Sequence, residues 1–131
     1  MIQLSSQLAI FLDNRPGMLA RVCEALAEQK INIYAMATSD TVDHIVIRMV
    51  VSDPRRATLL FEERGTLVVA DEVVLVEGDN RPGSLVTIAD RLANAKINIE
   101  YAYFATLPNA KKGLLVLRVD RARQALKVLN S

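Results

Sequence analysis

Asp13-Asn14-Arg15-Pro16-Gly17 returns in the chain as Asp79-Asn80-Arg81-Pro82-Gly83, at an offset of 66 residues. Lys30-Ile31-Asn32-Ile33 returns as Lys96-Ile97-Asn98-Ile99 at the same offset. Two different strings sharing one offset indicate an internal duplication, and the repeat then becomes the unit of folding. The 131 residues divide into two copies, 1–70 and 71–131. A unit of about 65 residues buries a modest share of its surface and is marginal alone, so the copies are expected to stabilise each other.

Reading outward from the first loop, Leu8–Leu12 is a short apolar run that reads as a strand. Pro16 suits the first helical position, because its φ is preset and it has no N–H to leave unpaired. Asp13 or Asn14 before it offers a capping oxygen. Leu19, Val22, Cys23 and Leu26 then recur at helical spacing. Residues 31–38 alternate as a strand, 39–43 form a turn and 45–51 a second strand. Asp53-Pro54 opens another helix, Gly65 ends it, and 66–69 is a short strand. The second copy repeats this order with strands at 73–76, 97–106 and 114–119 and helices at 82–95 and from Ala122 to Leu129. Within the second strand its offset becomes 68, Ala37-Thr38 against Ala105-Thr106, which suggests two residues gained in that strand as a bulge. The order βαββαβ, twice, is the ferredoxin-like plan: an antiparallel sheet with two helices on one face, α+β in class. The second copy has no last strand after Leu129, which leaves a sheet edge for which Ile2–Ser5 is a candidate cover.

Composition narrows the function classes. The formal net charge is +1 and no run of Lys or Arg exceeds two residues. A nucleic-acid surface would need a basic stripe, so no nucleic-acid partner is expected. The single cysteine, Cys23, excludes an internal disulfide framework and fits a reducing compartment. No apolar stretch approaches the ~20 residues of a membrane span, and Met1–Ser6 lacks a signal-peptide pattern. A cytoplasmic protein with no membrane partner is expected.

The strand, the Asp-Asn-Arg-Pro-Gly loop, the helix and the Ile-Asn-Ile that follows, all present twice, resemble the ACT domain. The likeness covers nearly the whole chain and is nearest to stand-alone proteins made of two ACT units. The resemblance implies allosteric, regulatory binding of a small molecule, usually an amino acid. It also implies a ligand held between two units, touched by the first loop of one and the second strand of the other.

The residues suit that chemistry. A helix start presents unpaired N–H groups and partial positive charge, a ready site for a carboxylate. Gly17 and Gly83 allow close approach to the backbone. Asn14 and Asn80 offer amides that can meet an ammonium or a carboxylate. Asn32 and Asn98, polar within apolar strands, need partners if buried. The expected ligand contacts are therefore Asp13, Asn14, Gly17, Met18, Leu19 and Asn32, with Asp79, Asn80, Gly83, Ser84, Leu85 and Asn98. The loop of each copy is expected to face the strand of the other. Met18 in copy one stands where copy two has Ser84, so the two sites are not expected to bind alike.

Plainer readings stand beside these. The loop can be a simple strand-to-helix turn, and the two Asn can satisfy local backbone. Cys23 shares a face with Leu19 and Leu26 and reads as a small core residue. His44 is the only histidine; no triad or metal cluster can be assembled, so neither catalytic residues nor a cofactor or metal is expected. Arg48 and Arg118 occupy matching strands whose two faces are both apolar. Such a sheet face, left bare by the helices, suggests a homodimer packed through it. The leading reading is a non-catalytic amino-acid sensor acting on a metabolic enzyme or regulator. Its rival is a ligand-independent subunit docking on an enzyme through that face.

Overall fold

The computed structural model describes residues 1–131. Asp53-Pro54 behaves as its chemistry dictates. Asp53 Oδ1 accepts from the Arg56 N–H at 3.1 Å, and Pro54 opens α2 (Pro54–Glu63). The other elements are β1 (Ile2–Asp13), α1 (Met18–Glu28), β2 (Ile33–Asp40), β3 (His44–Val51), β4 (Leu67–Asp79), α3 (Ser84–Asn94), β5 (Ile99–Ala105), β6 (Lys112–Val119) and α4 (Ala122–Asn130).

Two units emerge, Ser6–Asp71 and Met1–Ser5 with Glu72–Ser131. In the first, the strands run in the order β2-β3-β1-β4. Leu8 and Ile10 of β1 and Ile47, Met49 and Val51 of β3 form its core with Val22, Ala25 and Leu26 of α1 and Phe61 of α2. In the second unit the order is β5-β6-β4-β1. Val74 and Val76 of β4 and Leu115, Leu117 and Val119 of β6 pack there with Leu92 of α3 and Leu129 of α4. Both follow the ferredoxin-like α+β plan, with alternate residues of each strand turned to the helices.

The five N-terminal residues, counted above with the first copy, belong to the second unit. Ile2 and Leu4 pack on its core, and the Glu77 N–H donates to the Met1 carbonyl at 2.9 Å. Ile2–Ser5 thus supplies the strand that the second copy lacks. β4 is likewise longer than expected. The stretches 66–69 and 73–76, read as separate strands, are parts of one strand of 13 residues. Ala70-Asp71-Glu72 between them contains neither Gly nor Pro to break the extended chain.

Register corrects a second expectation. Both copies carry the same irregularity at the start of their second strands, between Ile33 and Ala35 and between Ile99 and Tyr101. Ser39 pairs with Val46, and Ala105 with Leu114. The two extra residues therefore sit in the turn after β5, not in a bulge inside it. Arg48 and Arg118 lie in matching strands but at different positions, since Met49 and Leu117 are the equivalents.

The helix-free faces are also unlike the expectation. Ala9, Val50, Val73, Leu75 and Val116 point away from the helices, yet each is buried in the single chain, the most exposed at 6%. Of the apolar residues that suggested a bare face, Val50, Val73 and Leu75 are buried and Val46 is half-buried.

Candidate functional site

In each copy the repeated loop joins the first strand of the unit to its first helix. Pro16 and Gly17 form a turn ahead of α1 rather than its first residues, as do Pro82 and Gly83 ahead of α3. Gly17 and Gly83 are the N-caps, with φ of 87° and 85°. That left-handed conformation is strained for any residue with a Cβ. No side chain caps either helix, which corrects the capping role expected of Asp13 and Asn14. At α3 the Ser84 N–H donates to the Arg81 carbonyl at 3.3 Å and the Val86 N–H to the Gly83 carbonyl at 3.1 Å. The N–H groups of Gly83 and Leu85 have no protein partner.

The asparagines hold the neighbouring turn. Asn14 Nδ2 donates to the Thr41 carbonyl at 3.2 Å. Asn80 Nδ2 reaches the carbonyls of Leu107, Pro108 and Ala110, at 3.2, 3.2 and 2.7 Å. The longer turn of the second copy brings these three acceptors within reach. The backbone N–H of Asn14 and of Asn80 also bonds across, to Asp43 and Lys111. The Asn80 amide nitrogen is fully engaged in this way and leaves Oδ1 for a ligand, whereas that of Asn14 keeps one N–H as well. The second loop is the better anchored: Asp79 and Asn80 are half-buried, while Asp13 and Asn14 are exposed.

Charge separates the copies further. Lys112 Nζ donates to Asp79 Oδ1 at 2.9 Å, and Arg81 lies 3.4 Å from the other carboxylate oxygen. The hydrogen bond from Lys112, then its charge, holds the Asp79 carboxyl below the usual carboxylate range, and the same bond raises the Lys112 ammonium. Asp13 faces His44 at the equivalent position and has Arg15 at 3.9 Å.

The second repeated string has a different role from the one expected. Lys30 and Lys96 both adopt φ of 59°, just past the ends of α1 and α3. The Ile31 N–H then bonds back to the Leu26 carbonyl and the Ile97 N–H to that of Leu92, both at 2.9 Å. This is a Schellman-type stop, with a buried Ile after the left-handed residue. Asn32 and Asn98 come next, ahead of the strands, and are exposed. Their backbone groups pair with Ser52 and Asp120. The premise of buried amides seeking a ligand does not hold for either.

Cavities gather at the second loop. One of about 520 Å³ is lined by Glu77, Gly78, Asp79, Arg81, Ser84, Thr87 and Lys112, among others. Another of about 470 Å³ lies on the loop's other flank against Asn80, Leu85, Val86 and Phe104. The counterpart of the first in copy one, between Leu12, Met18, Arg21 and Val22, holds about 190 Å³. Of the expected contacts, Asp79, Asn80, Gly83, Ser84 and Leu85 border these spaces, and Met18 lines the small one. Leu19 and Leu85 are each 37% exposed, at the helix starts. Glu77, Gly78, Thr87 and Lys112 were not anticipated; aligning the copies at offset 66 would have shown Gly78 and Thr87 as small residues replacing large ones. No three His, Cys, Asp or Glu side chains are grouped as a metal site.

A family model described as an ACT domain pair matches residues 3–130. The chain belongs to the ACT domain pair family. Among solved structures, a protein of Bacteroides thetaiotaomicron is 30% identical to this ACT pair. It superposes with a TM-score of 0.91 over 98% of this chain and 88% of its own. The regulatory subunit of aspartate kinase from Thermus thermophilus, in its ligand-free form, has 18% identity and a TM-score of 0.73 over 99% and 95%. The aspartate kinase of Synechocystis has 25% identity and a TM-score of 0.62, covering 98% of this chain and 26% of its own. No curated protein matches the chain. The Thermus likeness speaks for the fold, and the family for a regulatory role. No helix of this ACT pair is long and apolar enough to cross a membrane.

Proposed function

We propose that the protein is a non-catalytic regulatory module that binds an amino acid at the Asp79–Gly83 loop and passes the bound state to a separate metabolic enzyme or regulator. The cavity of about 520 Å³ at that loop carries the reading. It borders carboxylates at Glu77 and Asp79, cations at Arg81 and Lys112, and hydroxyls at Ser84 and Thr87. The free N–H groups of Gly83 and Leu85 add donors. Groups of both signs around one space suit a zwitterion. Nothing there forms an activated nucleophile or a poised base. The Thermus thermophilus neighbour is a regulatory subunit of aspartate kinase, which supports a separate enzyme as the partner here.

A thermal-shift screen across the twenty amino acids tests this. A ligand at 100 times its dissociation constant stabilises the fold by about 2.7 kcal/mol, so at least one amino acid should raise the melting temperature by several degrees. Asn80→Ala, which frees the turn at 107–110, should shrink that shift. A flat response to all twenty sinks the proposal.

The rival reading, docking through the helix-free sheet face, loses support because Val50, Val73 and Leu75 of that face are buried within the chain. A homodimer remains part of the proposal, on another surface. β2 is an edge strand with Tyr34 58% and Met36 39% exposed, and such edges pair readily. Light scattering at micromolar concentration should give a dimer mass for the native chain and a monomer mass for Tyr34→Lys. A native monomer refutes it.

A further inference from the structure

The two copies differ systematically around their first helices. At equivalent positions copy one has Leu12, Met18 and Arg21 where copy two has Gly78, Ser84 and Thr87. These are the walls of the paired cavities, about 190 Å³ in copy one and about 520 Å³ in copy two. A second pair of differences lies between the first helix and the second strand. The register places Met36 opposite Met49 and Ala102 opposite Leu117, which makes Ala102 the counterpart of Met36. Ala89 on α3 likewise replaces Cys23 on α1.

Where copy two has the two alanines, a chamber of about 140 Å³ opens between α3 and the sheet. Leu85, Ile88, Ala89, Ala102, Leu115 and Leu117 line it, and its lining is almost wholly apolar. The space is a groove open to solvent, since Leu85, Ala89 and Ala102 are exposed, and its apolar walls suit an aliphatic group. The chamber is not isolated from the loop. Ile88 also lines the cavity on one side of the loop, and Leu85 the cavity on the other. A polar space and an apolar one therefore share walls, and in copy one Cys23 and Met36 stand where copy two has Ala89 and Ala102.

We infer that copy two alone binds ligand, one molecule per chain, and that the ligand is an amino acid whose aliphatic side chain enters the chamber beside Ala89 and Ala102. This rests on the amino-acid reading above. It adds which copy binds, the stoichiometry and the side-chain class. The ammonium and carboxylate would lie at the charged loop, and the side chain would displace no ordered polar group.

Two experiments on the full chain separate this inference from the reading beneath it. The first is calorimetry with L-leucine and with glycine. Leucine should bind with one site per chain, and glycine at least tenfold more weakly. Ala102→Met, which installs the copy-one residue, should weaken leucine at least tenfold and leave glycine unchanged. Ser84→Met should weaken both. Two leucine sites per chain, or leucine binding indifferent to Ala102→Met, overturns the inference while leaving an amino-acid sensor intact. No heat from either probe, with a flat thermal screen, removes the sensor reading and the inference with it.

The second experiment needs no amino acid. Xenon under pressure should occupy the chamber beside Ala102 in crystals of the native chain and be absent in Ala102→Met. No xenon in the native chain overturns the inference. Unchanged melting of Ala102→Met, whose copy-one counterpart is already methionine, shows that the loss comes from filling and not from unfolding.

Discussion

Removing Met1–Ser5 will unfold the C-terminal unit ahead of the N-terminal one. Ile2 and Leu4 are partly buried against the core of the C-terminal unit. Complete burial of such a side chain contributes about 1.5–3 kcal/mol, so half-burial of both is worth roughly 1.5–3 kcal/mol. The truncation also strips the ladder from one side of β4 in a unit of about 65 residues, a size at which little stability is in reserve. A loss of about 3–4 kcal/mol, confined to one half of the chain, is the expected result. Hydrogen exchange resolved along the sequence should show Val74–Val76 and Leu115–Val119 losing protection, while Ile47–Val51 keeps most of its own. Equal loss in both units would show that Ile2–Ser5 is not an element of the second unit.

Leu92→Ala is the second large effect. α1 is held by Val22, Ala25 and Leu26, whereas Leu92 is the one buried residue of α3. Truncating a fully buried Leu costs about 2–5 kcal/mol. The chamber already under α3 leaves the helix few other contacts to fall back on. The start of α3 carries Gly83, Ser84 and Leu85, so loosening this helix also disorders the loop. Leu92→Ala should therefore lower the melting temperature by several degrees and abolish the amino-acid thermal shift. Leu26→Ala, at the equivalent place in α1, should cost similar stability and preserve the shift. If Leu92→Ala keeps a full ligand response, α3 does not position the binding loop.

The repeated strings made the fold readable because duplication is visible at any offset, and helix and strand periodicity filled in the rest. What escaped notice has physical causes. Ala70-Asp71-Glu72 is polar enough to look like a turn, yet extended backbone needs only the absence of a breaker, so β4 runs through it. Asn32 and Asn98 sit among isoleucines and looked like strand residues. The left-handed lysine before each belongs to a helix stop, a conformation that an L-residue adopts without a sequence signal as plain as glycine. Asn14 and Asn80 have the right amides for a ligand, but amides bond whatever carbonyl is nearest, and the turn is nearest.

The asymmetry between copies was half legible. Met18 against Ser84 could be read from the alignment directly. Met36 against Ala102 could not, because the two-residue insertion was placed inside the second strand, where it shifts the comparison by two. Only the ladder, with the same irregularity at the head of β2 and β5, puts the insertion in the turn and brings Ala102 opposite the chamber.

Met1–Ser5 are among the last residues that can find their place. Their sheet neighbour, the stretch at 72–79, is made some seventy residues later, and until then they have no ladder to join. Closing so long a loop is slow compared with local turns and helices. The order of synthesis and the order of assembly thus run in opposite senses at this strand. Bulk added ahead of Met1 would travel with the strand into the edge of the sheet, whereas bulk added after Ser131 would not.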